Sequence, residues 1–115
     1  MNNHREEKNY KVTHNFYIAG VRFHDLHLVE DELAEGNELE LIPDPTNKFD
    51  PNAVEIWYDN RIDSKVLLGF VPRKFSSEVS AALEIGKDLQ CILVKFNKSA
   101  KPWEQAKVEI REELS

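Results

Sequence analysis

In the stretch DPTNKFDPN, from Asp44 to Asn52, one cation, one aromatic ring and one carboxylate stand side by side at Lys48, Phe49 and Asp50. Residues of these types can bind a ligand: the ring offers a π-face, and the carboxylate accepts hydrogen bonds from donors. The same composition also builds an ordinary tight turn. Asp and Asn side chains bond neighbouring backbone N–H groups, Pro fixes φ, and Phe49 then plugs the end of a small barrel. Both readings fit the residues taken alone.

Other reactive residues form no recognisable constellation. His24 and His27 flank Asp25, with His4 and His14 further upstream, but neither the spacing nor an HExxH or cysteine context points to zinc. Asp44 and Asp50 lack the D-x-D-x-D-G pattern of a calcium loop. Cys91 stands alone in an apolar stretch, where it reads as buried and inert. There is no GxSxG, no Cys–His arrangement and no phosphate-cradling glycine loop, so an independent catalyst is not expected, and no metal or cofactor is assigned. Trp103, beside Lys98 and Lys101, offers a second candidate surface for stacking.

At 115 residues the chain is one domain's worth. Apolar residues at 41% and charged residues at 31% suit a globular fold. No apolar run approaches the ~20 residues of a membrane span, and MNNHREEKNYK has no stretch suited to a signal peptide. With a single cysteine, a reducing cytoplasmic setting is expected. The net charge of -6 argues against coating nucleic acid by bulk attraction. Charge is uneven, however: Asp25 to Asp44 carries eight acids and no Lys or Arg, while Lys48, Arg61, Lys65, Arg73, Lys74, Lys95, Lys98 and Lys101 lie elsewhere. A local basic face remains compatible with the acidic total.

Several elements must position the Asp44–Asn52 loop. Residues 1–9 are polar and read as a loose segment, with a single domain over 10–115. Val12, His14, Phe16 and Ile18 alternate as one face of a strand, which Gly20 kinks or bulges and Val21, Phe23 and His24 continue. Residues 26–35 read as a short helix or a structured loop. Strands follow at Glu38–Ile42, Val54–Asp59 and Lys65–Val71, the last two joined by an Asp59-Asn60 turn. A helix spans about Lys74 to Ile85 with Phe75, Val79, Ala82 and Leu83 on one face, Ser76 or Ser77 as cap, and Gly86 at its end. Leu89–Phe96 reads as a buried strand, and 97–102 as a basic loop. Val108 and Ile110 mark a last edge strand or a frayed helix. The expected fold is mostly β: an OB-like or SH3-like barrel of about six strands with one main helix.

The order of three blocks is more specific than their composition. GVRFH at 20–24, PDPTNKFDPNAVEI at 43–56 and LLGFVPRKFSSEVSAAL at 67–83 resemble the HIRAN family. Its pattern is a glycine before a basic–aromatic pair, a DPxNxYDxNAI loop-to-strand and a GYLPR strand end leading into a helix. The match runs over about residues 14–97, with Asp44, Pro45, Asn47, Asp50, Asn52 and Ala53 in register.

The resemblance implies an OB-like barrel that grips the 3′ end of single-stranded DNA, in proteins associated with helicases or nucleases. It places Arg22 near a terminal phosphate and Phe23 and Phe49 as stacking faces. Asp50 becomes an acceptor for the terminal 3′-hydroxyl, Asn47 shapes the loop, and Phe70 and Arg73 sit at the strand end near the backbone. Tyrosine is commoner in the family where this chain has Phe23 and Phe49, so the rings carry over and polar contacts of two phenolic hydroxyls do not. The alternative is a protein-interaction barrel that has lost DNA binding and captures partners through the acidic segment or an open sheet edge. A positive, aromatic-lined groove favours the first; a negative one favours the second.

Overall fold

A computed structural model describes residues 9–114. Residues 1–8 and His4 among them, and Ser115, lie outside the described residues, so of the expected loose segment only Asn9 is seen, as the first residue of a strand. The elements are β1 (Asn9–Tyr17), β2 (Glu38–Pro43), β3 (Val54–Asp59), β4 (Lys65–Phe70), α1 (Arg73–Glu84), β5 (Leu89–Phe96) and β6 (Ala106–Leu114), with single 3-10 turns at Val21–Phe23, Leu26–Leu28 and Pro102–Glu104. The mostly-β expectation, with six strands and one helix, is met. Among the described residues no helix is long and apolar enough to cross a membrane.

All six strands form one antiparallel sheet in the order β1-β6-β5-β2-β3-β4. β2 changes partner along its length: Glu38 and Leu39 pair with β5, Glu40 to Pro43 with β3. Such a switch turns the sheet through a corner and brings its two ends toward each other. The edges do not zip into a closed barrel. They meet at one point, where Ala19, just beyond β1, pairs with Phe70 at the end of β4. The cavity described below opens at this seam.

Alternation drives the burial. Val54, Ile56 and Tyr58 point into the core from β3, Cys91 and Leu93 from β5, and Val108 and Ile110 from β6. Val79 of α1 covers this layer, with Phe75 and Leu83 packed beside it. Burying each such side chain contributes roughly 1.5–3 kcal/mol. Cys91 is fully buried, and burial, followed by the charge of Glu38, pushes its thiol up to about 12.

Four local expectations are corrected. Residues Val21–Phe23 do not prolong β1: Gly20 takes a left-handed conformation (φ 73°) that any side chain would resist, and it tips the chain into a 3-10 turn. The irregularity in β1 lies at Thr13 instead, where the register shifts between Val12 and His14 and leaves Val12 outside the core. β6 is neither an edge strand nor a helix, because β1 and β5 flank it on both sides. Finally, α1 begins at Arg73 after Pro72 with no side-chain cap, so neither Ser76 nor Ser77 starts it. The helix ends beside Gly86 as expected, with the Lys87 N–H donating to the Ala82 carbonyl.

The acidic segment is structured rather than a free arm. Leu26, Val29 and Leu33 anchor it in the core. Glu32 accepts from the Tyr58 hydroxyl (3.1 Å) and the Asn60 amide (2.9 Å), and Asp31 pairs with Lys98 at 2.8 Å. That ion pair raises the Lys98 ammonium above its ordinary value, first through the hydrogen bond and then through the charge.

Candidate functional site

A cavity of about 470 Å³ opens where β1, β4, the 44–53 loop and the start of α1 converge. Each wall has a local cause. The Gly20 turn lifts Phe23 and His24 off the end of β1. The Ala19–Phe70 bridge holds Phe70 at the rim, with its ring 5.4 Å from that of His24. Pro72 stops β4 and starts α1, so Arg73 emerges at the cavity's edge.

The loop wall is built by Asn47. Its Oδ1 accepts both the Phe49 N–H (2.9 Å) and the Asp50 N–H (3.0 Å), while its Nδ2 donates to Asp44 Oδ2 at 3.2 Å. The loop is closed by Asp44 N–H to the Ala53 carbonyl (2.9 Å) and by Ala53 N–H to the Asp50 carbonyl (3.0 Å). Held by these bonds within itself, the loop is not pinned by the Phe49 ring. Phe49 is free to stand outward, 83% exposed. Phe23, which also lines the cavity, is 74% exposed. Neither ring plugs a barrel.

Asp50 is tied on both oxygens. Oδ1 accepts the Asn52 N–H at 2.9 Å, and Oδ2 accepts the Ser76 hydroxyl at 2.6 Å. Those two donors, the Ser76 hydroxyl foremost and the Asn52 amide next, hold its carboxyl below the usual carboxylate value against the opposing effect of desolvation, with the charge of Arg73 adding to them. A carboxylate has about four acceptor positions, so one remains open on each oxygen. The bland reading is thus partly right, because Asp50 does serve its own turn, but the turn does not consume it.

Of the seven residues singled out from the sequence, Phe23, Asn47, Phe49, Asp50, Phe70 and Arg73 all line this cavity. Arg22 does not; its guanidinium lies over the Phe23 ring, 5.1 Å from the centroid. Ala19, Gly20 and His24 also line it; the last two belong to the GVRFH block but were not assigned to the site from the sequence. Ser76 was missed too. None of the eight acids between Asp25 and Asp44 is among the lining residues.

The other constellations resolve differently. Trp103 is 57% exposed with the Lys101 ammonium 5.6 Å from its ring, and its turn packs against the Val21–Phe23 turn. Lys98 points to Asp31 instead and contributes nothing there. Trp57 is half-buried and donates to Glu55 at 2.8 Å. His14 pairs with Glu78 at 2.8 Å and packs edge-on against Phe75. Among the described residues no group of His, Cys, Asp and Glu is arranged to hold a metal ion.

Comparison with known proteins bears on the family and the fold. Over 67 residues, or 58% of its length, the chain is 33% identical to a Fanconi-associated nuclease 1 homolog of Oryza sativa subsp. japonica, and it spans only 6% of that protein. A crystal structure of a protein from Lactobacillus plantarum superposes with a TM-score of 0.77 over 95% of this chain and all of its own, at 16% identity. The HIRAN domain of human HLTF superposes with a TM-score of 0.59 over 87% of this chain and 72% of that one, at 11% identity. The HIRAN domain family model matches residues 11–114, and the chain therefore belongs to the HIRAN domain family.

Proposed function

We propose that this chain is a non-catalytic nucleic-acid-binding module that takes the free 3′-hydroxyl end of single-stranded DNA into the seam cavity. One observation carries the reading: two exposed phenylalanine rings, Phe23 and Phe49, line the same cavity as a carboxylate that retains open acceptor positions. Aromatic rings left in water at one cavity suit a base, since every base has a π-face and stacking is worth about 1–3 kcal/mol. Asp50 suits a hydroxyl donor and repels a phosphate, so the pair selects an unphosphorylated end. Arg73 lines the cavity and Arg22 flanks it, where each can meet one backbone phosphate. Trp103 with Lys101 offers a further stacking face beyond Phe23 for the strand leading away.

The acidic total charge is compatible with this reading because few phosphates are met, which gives a shallow salt slope. Membership of the family, the match to a nuclease homolog and the likeness to the HLTF domain support a setting in DNA repair or at replication forks, beside a helicase or nuclease partner. Two arginines at an aromatic-lined cavity favour this reading over the adaptor. Fluorescence anisotropy with matched oligonucleotides ending in 3′-hydroxyl or 3′-phosphate tests it. Tighter binding of the hydroxyl end, abolished as a preference by Asp50→Ala, is expected; equal affinity for the two ends sinks the claim.

A further inference from the structure

We propose that Ser76 is the positioning residue that aims the Asp50 carboxylate into the cavity as an acceptor for the strand's terminal hydroxyl. This rests on the end-binding function proposed above.

Ser76 is a buried polar side chain, 2% exposed, one turn into α1. A buried hydroxyl needs a partner, and helix serines commonly satisfy theirs on the carbonyl of the preceding turn. Here the Arg73 carbonyl lies 3.0 Å from Oγ, yet the Asp50 carboxylate lies closer, at 2.6 Å. Both partners are acceptors, and the single hydroxyl proton favours the charged one.

The consequence is a carboxylate clamped from two independent elements. The loop supplies the Asn52 N–H to Oδ1, and the helix supplies Ser76 to Oδ2. With the loop donor alone, the carboxylate can turn about its terminal bond, and its open acceptor positions sweep across the cavity. With both, their directions are set before any ligand arrives, which is what recognition of one small hydroxyl requires. The same first turn of α1 presents Arg73 to the cavity, so one helix start places both the cation and the clamp.

The test uses the full chain, its Ser76→Ala and Ser76→Thr variants, and three oligonucleotides of one sequence ending in 3′-hydroxyl, 3′-deoxy and 3′-phosphate. The wild-type protein prefers the hydroxyl end to the deoxy end. Ser76→Ala lowers that preference about three- to tenfold while leaving affinity for the deoxy end within about twofold, and Ser76→Thr restores it. A carbon-13 titration of the Asp50 carboxyl supplies a readout without DNA, moving upward in Ser76→Ala and back in Ser76→Thr. A wild-type protein with no preference removes the end-binding function, and this role with it. A clear wild-type preference that Ser76→Ala leaves intact, or an equal loss on all three ends, overturns the role of Ser76 alone.

Discussion

Ala19 and Phe70 exchange both of their backbone hydrogen bonds, 2.9 Å from the Ala19 N–H and 2.8 Å from the Phe70 N–H, and so join the two outer strands of the sheet beside the cavity. The approach is close because Gly69 has no side chain. A Cβ there would stand 2.3 Å from the Ala19 carbonyl oxygen and 2.7 Å from Ile18 Cγ2. Backbone cannot yield as a flexible side chain does, so Gly69→Ala must push the seam apart. We expect a loss of about 2–3 kcal/mol of stability in urea denaturation, together with faster hydrogen exchange at the Ala19 and Phe70 amides. Wild-type stability in this variant is incompatible with the bridge.

Asn47→Ala removes the acceptor shared by the Phe49 and Asp50 N–H groups and the donor to Asp44. Each such bond contributes about 1 kcal/mol net, although water replaces part of the loss at a half-exposed site. The expected outcome is a fall of about 1–2 kcal/mol in stability, with weakened binding of every oligonucleotide end and a reduced preference for the hydroxyl end, since Phe49 and Asp50 move together. A calorimetric melt beside the anisotropy titration checks both. Loss of end preference with full affinity would assign Asn47 a direct contact instead.

Much of this architecture is legible in the chain because short alternating runs are bounded by breakers: Val54–Asp59 by the Pro-rich loop and Asn60, Leu89–Phe96 by Gly86 and Asn97. Where local pattern misleads, a distant partner decides. Glu109 and Glu112 make β6 look solvated, but flanking strands on both sides keep them half-buried, Glu109 on the face opposite Val108 and Ile110 and Glu112 on their own face, near Val79 and Leu89. Val21 and Phe23 continue the alternation of β1, and only the left-handed Gly20 breaks it. Ser76 reads as a cap because the residue that takes its proton, Asp50, is 26 positions away. The cavity residues, from Ala19 to Arg73, are similarly scattered. Their convergence follows from the β2 corner and the seam, neither of which has a local signature.

Acid should weaken the folded state partly through Asp50. Its carboxyl sits below its ordinary value, chiefly because of the Ser76 hydroxyl, then the Asn52 amide, with the Arg73 charge behind them. A group depressed in the folded state stabilises above its unfolded pKa, near 3.9, and that contribution fades as pH falls through the folded value. The melting temperature of wild-type protein should therefore drop more steeply below about pH 4 than that of Asp50→Asn, which keeps the shape without the titration. Parallel melting curves over that range would contradict the hydrogen-bond assignment.

Phe23 and Phe49 separate binding from folding. A ring that is 74% or more exposed contributes little to the core, so Phe23→Ala and Phe49→Ala should change stability by no more than about 0.5 kcal/mol. If the two rings receive bases, each truncation costs about 1–3 kcal/mol of binding, a factor of roughly five to 150 in Kd. Tyrosine at either position preserves the π-face and should bind within about threefold of wild type, whereas leucine keeps apolar area and loses stacking. The two rings differ in one respect: Arg22 lies over one face of Phe23, while no cation among the described residues covers Phe49. Arg22→Ala should therefore weaken binding both by removing a phosphate partner, flattening the salt dependence by about one unit, and by uncovering that face. Anisotropy titrations across a salt series separate the two effects, because only the phosphate contribution changes the slope.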